Sequence, residues 1–139
     1  MSLVLDASLA LAWLFDDECT PAVDAVLVNV VAHGARVPEL WRLEVANALQ
    51  MAVRRKRIDT TFRDQALQRL AALPIAIDPD TNHHAWASTL RLADSFDLTL
   101  YDAAYLELAQ RYSLPLASLD RELRAAAHVL DLPLQGLAT

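Results

Sequence analysis

A chain of 139 residues with two glycines, one cysteine and a net charge of −6 excludes several classes before any motif is read. Gly34 and Gly136 stand alone, so neither a dinucleotide fingerprint nor a phosphate loop is present, since each needs clustered glycines. The single Cys19 excludes an intrachain disulfide and a cysteine-rich metal site. The acidic balance excludes a surface that draws nucleic acid as a basic binding domain does. The hydrophobic fraction of 55% exceeds the usual ~45–50% and points to a heavily buried sheet or to an apolar face awaiting a partner. Asp6 interrupts the apolar opening, no basic segment precedes it, and no stretch approaches the ~20 apolar residues of a membrane span. These features read as a cytoplasmic chain folding as a single domain over 1–139, with no membrane association.

In chain order, Leu3-Val4-Leu5 has the composition of a short interior strand buried on both faces. Asp6 follows where the strand must end, and Leu9, Leu11, Trp13, Leu14 and Phe15 carry a helix behind it. Asp16 to Pro21 is a polar break in which Thr20 caps a helix running to about His33, stopped by Gly34. Ala35-Arg36-Val37-Pro38 is the second strand. Glu39 is expected to open a long, mostly buried helix to about Lys56, with Glu44 inside its apolar stretch. The basic run Arg54-Arg55-Lys56-Arg57 complements the dipole at that helix's end. A turn at Ile58-Asp59-Thr60 leads to a helix from Thr61 to about Leu73, then a third strand over Pro74–Ile77. Asp80 or Thr81 is expected to cap one helix carrying Ala85, Trp86, Leu90, Leu92 and Ala93. Thr99 caps the next, with Asp102 in its first turn. Leu114-Pro115-Leu116-Ala117 is the fourth strand, Asp120 precedes a helix from Glu122 to about Leu130, and Pro133-Leu134 is a candidate fifth strand. The alternation of strand and helix predicts a three-layer α/β/α sandwich with a short, mostly parallel, four- or five-stranded sheet.

Four acids then demand an account. Each has a local one: a cap at Asp6, a solvated rim position at Glu44, first-turn charge at Asp102, a cap at Asp120. Their joint placement is harder to explain away, because Asp6 and Asp120 follow parallel strands while Glu44 and Asp102 lie early in helices. An ordinary right-handed topology brings all four to one edge of the sheet, where open α/β folds keep their functional crevice. Carboxylates gathered there repel one another unless a hard divalent cation joins them. Such an ion activates water and steadies the leaving oxygen of a phosphodiester.

The residues that carry these acids also resemble a known family. Val4-Leu5-Asp6-Ala7-Ser8, Pro38-Glu39-Leu40-Trp41 leading to Glu44-Val45-Ala46-Asn47-Ala48-Leu49, Leu98-Thr99-Leu100-Tyr101-Asp102-Ala103-Ala104-Tyr105-Leu106, and Leu116-Ala117-Ser118-Leu119-Asp120-Arg121-Glu122-Leu123 stand in order over nearly the whole chain. This set is similar to PIN-domain ribonucleases, specifically the VapC toxins of bacterial toxin–antitoxin pairs. The resemblance implies Asp6, Glu44, Asp102 and Asp120 as metal-binding, catalytic acids for Mg²⁺ or Mn²⁺, with Ser8, Asn47, Thr99 and Ser118 as polar neighbours that orient them. It further implies an RNA substrate, a homodimer and a cognate VapB-type antitoxin. One departure is Asp97, where a small turn residue such as glycine is expected; it reads as a solvated loop residue.

Two other readings stay open at this level. A PIN-like module that binds RNA or protein without cutting is disfavoured by the intact acids. A receiver or aspartyl phosphatase of similar architecture needs a D-x-D after its first strand, and none is present. His33, His83, His84 and His128 show no i, i+4 pairing for zinc, and no G-x-S-x-G nucleophile motif exists. Trp13, Trp41 and Trp86 read as core or interface residues.

Overall fold

The computed structural model describes residues 1–137. Five short strands form one sheet: β1 (Leu3–Leu5), β2 (Ala35–Val37), β3 (Ile75–Ile77), β4 (Leu116–Ala117) and β5 (Leu134–Gln135). Their order is β3-β2-β1-β4-β5, and every pairing is parallel. Around them run α1 (Ala7–Ala12), α2 (Pro21–His33), α3 (Trp41–Arg54), α4 (Thr60–Ala71), α5 (Thr81–Ala85), α6 (Ser88–Phe96), α7 (Leu100–Tyr112) and α8 (Arg121–Val129). Leu3, Val4 and Leu5 are all fully buried although successive side chains point to opposite faces. Helices therefore cover both sides of the central strand, which is the expected three-layer arrangement.

The strand order fixes where a site can form. From β1 the chain moves outward to β2 and β3, then crosses back to place β4 on the other side of β1. The reversal between β1 and β4 is a topological switch point, and the crevice beyond their carboxyl ends is where open parallel sheets bind ligands. The amide of Asp6 donates to Ala117 O at 2.9 Å and locks the two strand ends together.

Most element boundaries follow the local chemistry. Thr20 accepts from the Val23 amide, with Pro21 opening α2, and Gly34 ends that helix at φ +78°. A Cβ at Gly34 would stand 3.0 Å from Pro74 O, so the glycine also admits close approach of the chain ahead of β3. Asp97 ends α6 in the left-handed conformation, φ 53°, which explains why a glycine is natural there; its side chain is exposed.

Four expectations need correction. The long helix begins at Trp41 and ends at Arg54, because Pro38 to Leu40 form a turn closed by the Trp41 amide on Pro38 O. It is also less buried than its composition suggests, with Leu43 76% exposed. The fourth helix starts at Thr60, a residue earlier than expected, since the Asp59 carboxylate accepts from the Phe62 amide at 2.8 Å. The helix expected from Asp80 through Ala93 is two, broken at Ala87, whose backbone leaves the helical region. Thr89 and Ala93 of α6 face inward, while Leu90 is exposed and Trp86, before the break, is 91% exposed.

An ion network anchors the outer half of the fold. Asp78, 1% exposed, receives both guanidinium ends of Arg111 at 3.0 and 2.6 Å. Arg111 also donates to Glu107 one turn earlier, and His84 lies 3.6 Å from the same carboxylate. Burial is the largest influence and works against the charge on Asp78, but the Arg111 hydrogen bonds, those from the Asp80 amide and Thr81, and the Arg111 charge together outweigh it and hold the carboxyl below its ordinary pKa. Removing one partner of a buried pair typically costs ~3–5 kcal/mol. Arg111→Met should therefore destabilise the protein by about 3 kcal/mol in urea melts at neutral pH. A depressed folded-state pKa gives stability that is present above the unfolded value near ~4 and lost as pH falls through the folded one. The acid limb of the wild-type stability curve should flatten in the variant, and an unchanged limb would remove Asp78 from it.

Candidate active site

Asp6 is the first side chain of the switch-point crevice. It occupies the cap position of α1 but makes no side-chain cap bond to that helix. Instead Ser8 Oγ and Ser118 Oγ both donate to its Oδ2 at 2.7 Å. The carboxylate is 5% exposed, and its pKa is raised. Burial is the main cause; the two hydroxyls pull the other way, and the charge of Asp120 pushes it further up. Both hydroxyls converge on one oxygen and fix the orientation of the carboxylate.

The two serines are fixed in turn by backbone. Ser8 Oγ accepts from the Leu119 amide at 3.2 Å, and Ser118 Oγ accepts from the Asp120 amide at 3.0 Å. Behind them, Arg124 Nη1 donates to Ser118 O at 2.7 Å and to Gln135 O at 2.9 Å. Gly136, at φ +112°, packs so tightly there that a Cβ would run into Leu9 and stand 3.3 Å from Ser118 O. Neither Arg124 nor Gly136 was marked by any sequence motif, because each acts through a backbone carbonyl that only the folded chain brings near.

Glu44 comes from the first turn of α3 and accepts from Tyr105 Oη of α7 at 2.5 Å. Burial raises its pKa first, the Tyr105 hydrogen bond lowers it, and the charges of Asp6 and Asp102 raise it again. Tyr105 is fully buried, and burial together with Glu44 raises its own pKa, so it stays a donor. The sequence offered a signal for this tyrosine: it lies three residues after Asp102, on the same helical face, and a buried hydroxyl needs a partner. Asp102 stands in the first turn of α7, where Thr99 Oγ accepts from its amide at 3.1 Å. Its pKa is raised by burial and then by the charges of Asp120 and Asp6. Asp120 caps α8, accepting from the Leu123 amide at 2.9 Å, so the capping account is correct for that residue.

Asp6 and Asp102 thus each feel the charge of Asp120, and Glu44 feels those of Asp6 and Asp102. Asn47 does not join them: it is exposed on α3 and, among the described residues, makes no hydrogen bond to any of the four. Thr99 accepts from the Asp102 amide, and its hydroxyl also acts to lower the pKa of the Asp102 carboxyl against the effect of burial. Among the described residues no three His, Cys, Asp or Glu side chains are drawn together tightly enough to hold a metal ion on their own. An apolar groove of about 420 Å³ between Trp41, Val45, Leu67, Leu70, Ile75 and Ile77 has no acid in its lining. Buried carboxylates that raise one another's pKa, at the carboxyl edge of a parallel sheet, define a class: α/β proteins with an acidic, cation-seeking crevice.

The comparisons narrow that class. Residues 3–129 match the PIN domain family model, and the chain belongs to the PIN-domain family. It is 31% identical over 124 residues to Ribonuclease VapC1 of Mycobacterium tuberculosis, covering 79% of this chain and 91% of the relative. Among solved structures it is similar to PAE2754 of Pyrobaculum aerophilum, with TM-score 0.67, 26% identity, and 91% of this chain against 84% of that one. FitAcB of Neisseria gonorrhoeae shares the fold at TM-score 0.66 and 16% identity, covering 98% of this chain and 97% of its own.

The raised pKa values carry a sign that can be measured. A carboxyl with a raised folded-state pKa binds protons more readily folded than unfolded, so stability falls as pH climbs from ~4 through the folded value. Without metal, Asp102→Asn should melt a few degrees above wild type at neutral pH, and the difference should close at acid pH. Saturating Mg²⁺ should raise the wild-type Tm more than the variant's. Thermal melts of both proteins in EDTA and in Mg²⁺ check this; equal metal shifts with a less stable variant would leave Asp102 as a helix-start residue only.

Proposed function

We propose that this chain is a divalent-metal-dependent endoribonuclease of a single domain, acting in the cytoplasm as the toxin of a toxin–antitoxin pair. The observation that carries the reading is the buried, serine-held Asp6 at the end of the central strand, within the fields of Glu44, Asp102 and Asp120. The ribonuclease relative from Mycobacterium tuberculosis supports the reaction class.

The donor set fits a hard cation. It is all carboxylate oxygen, its mutual repulsion is relieved by positive charge, and its looseness suits Mg²⁺ or Mn²⁺, which keep water and phosphate oxygens among their ligands. Asp6, Glu44, Asp102 and Asp120 are the residues that would hold it. When bound, such an ion supplies Lewis acidity toward water and toward a phosphodiester oxygen. The chain's own side chains set up the rest. Ser8 and Ser118 keep the Asp6 carboxylate in one orientation. Tyr105 holds Glu44 toward the crevice, and Thr99 and Asp120 fix the helix starts from which Asp102 and Asp120 project.

An acidic crevice repels the RNA backbone until a cation is present, so activity should depend on added metal more steeply than substrate binding alone would require. A VapB-type antitoxin fits the same logic, an Arg or Lys offering the missing positive charge. The apolar groove between α3, α4 and β3 and the exposed Trp86 leave room for antitoxin and homodimer contacts.

Purified protein should cut RNA with Mg²⁺ or Mn²⁺ and stop in EDTA. Asp6→Asn, Glu44→Gln, Asp102→Asn and Asp120→Asn should each lose more than the ~10–100-fold that changes in a site's supporting shell cost. Ser118→Ala should fall within that range. Far-ultraviolet circular dichroism checks that each variant is folded, and Asn at 120 still caps α8. A folded variant with full activity removes its residue from the site. Expressed alone, the wild-type chain should arrest growth and Asp6→Asn should not.

A further inference from the structure

A small cavity of about 150 Å³ opens beside the acidic crevice, between the turn before α3, α5 and the start of α7. Leu40, Leu100 and Ala104 supply apolar wall, Glu39 and Asn82 its polar groups, and Tyr101, 65% exposed, its aromatic face. The cavity adjoins the acids through the backbone. Tyr101 immediately precedes Asp102, and the Glu44 amide donates to Leu40 O at 3.0 Å, one helical turn or ~5 Å away. That is about the reach from a phosphate to its neighbouring base.

The volume is below the ~300–1,000 Å³ of drug-sized pockets and suits a single planar ring system. An exposed tyrosine over apolar wall is the usual way an unpaired RNA base is stacked. The polar groups say which base. An exposed carboxylate accepts on both oxygens and donates nothing, so it selects an edge with two neighbouring N–H donors. Guanine alone presents such an edge, at N1 and N2. Uracil offers one donor between two carbonyl oxygens, and adenine and cytosine set an acceptor nitrogen beside the amino group. Asn82 Nδ2 reaches Glu39 Oε2 only at 3.4 Å, a long bond that a better donor can replace, and its amide then faces the guanine O6.

The cavity is also held rigid. Thr81 Oγ1 accepts from the Glu39 amide at 3.1 Å and donates to Asp78 Oδ2 at 3.0 Å, and Asp78 is clamped by Arg111. The buried ion network therefore fixes the backbone from which Glu39 projects. We propose that this cavity is a subsite for an unpaired guanine next to the scissile phosphate, read by Glu39 and stacked by Tyr101. The proposal rests on the ribonuclease reading above and adds a base preference to it.

The test maps cut sites in random-sequence single-stranded RNA with Mn²⁺. Guanine should be enriched at one fixed position beside the cut. Glu39→Gln should reduce that preference about tenfold, the scale of one lost bidentate base contact. Tyr101→Ala should raise KM more than it lowers kcat. Cutting with even base use at every flanking position, or a preference unchanged in Glu39→Gln, overturns the subsite and leaves the ribonuclease reading intact. So does an even base use joined to loss of antitoxin binding in Glu39→Gln, which gives the cavity to a protein side chain. Where no RNA is cut at all, a metal-free NMR titration decides. Guanosine, which carries no phosphate for the crevice to repel, should shift the Leu40, Tyr101 and Ala104 amides of wild type but not of Glu39→Gln, and adenosine should shift neither. That pattern keeps the subsite while the ribonuclease reading falls; no response, or equal responses to both nucleosides, overturns the subsite.

Discussion

The structure is arranged around the burial of one negative charge, the Asp6 carboxylate at the end of the central strand. A buried carboxylate without a cation costs several kcal/mol after relaxation, and no arginine or lysine forms an ion pair with this one among the described residues. Two hydroxyls and the opening of α1 offset part of that cost. The remainder is stored, and it appears as the raised pKa of Asp6 and of the two acids that share its surroundings, Glu44 and Asp102. Strand order, the serine pair and Arg124 behind Ser118 all serve to keep that charge where it is unfavourable without a cation.

The same chain shows the opposite solution in Asp78. This carboxylate is also shielded from solvent, yet it is matched by Arg111 on both oxygens and its pKa is depressed. The protein can therefore neutralise a buried acid with its own cations and does so where stability is the need. At the crevice it does not. Both acids stand at the carboxyl end of the sheet, the stored charge after the central strand and the satisfied one after the edge strand β3, which separates the two jobs. Through Thr81 and Glu39 the satisfied network also braces the turn that leads into α3 and Glu44.

Much of this was legible in the sequence, for reasons that differ by element. Leu3-Val4-Leu5 could only be an interior strand, and Thr20-Pro21 and Gly34 mark α2 because cap and stop chemistry is local. The acids were legible because strand ends and helix starts are local features too. The α5–α6 break was not, since Trp86 and Leu90 look like core residues by composition, and only the packing of Thr89 and Ala93 decides which face turns inward. Asn47, three residues from Glu44 on α3, is exposed, whereas Glu44 is held by Tyr105. Spacing puts Tyr105 on the face of Asp102 but not against Glu44, and Arg124 and Gly136 depend on contacts across the fold that no spacing reveals.

The cap account and the functional account of the four acids turn out to be the same physics. Glu44 and Asp102 occupy the first turns of α3 and α7, and Asp6 and Asp120 precede α1 and α8. A helix start carries partial positive charge, so each of these positions tolerates a carboxylate better than any other point on its helix. Bringing four such starts to one crevice lets the chain gather four acids at a lower cost than their repulsion alone would set. Asp120 accepts from a backbone amide of its own helix, whereas Asp6 is held by two hydroxyls, Ser8 of α1 and Ser118 after β4. The difference matters because hydroxyls from two separate segments fix the direction of the Asp6 carboxylate as well as its place. Parallel α/β topology delivers helix starts and strand ends to the same edge by construction, and a chain without clustered glycines can use that edge for phosphate chemistry only by placing acids there and recruiting a cation.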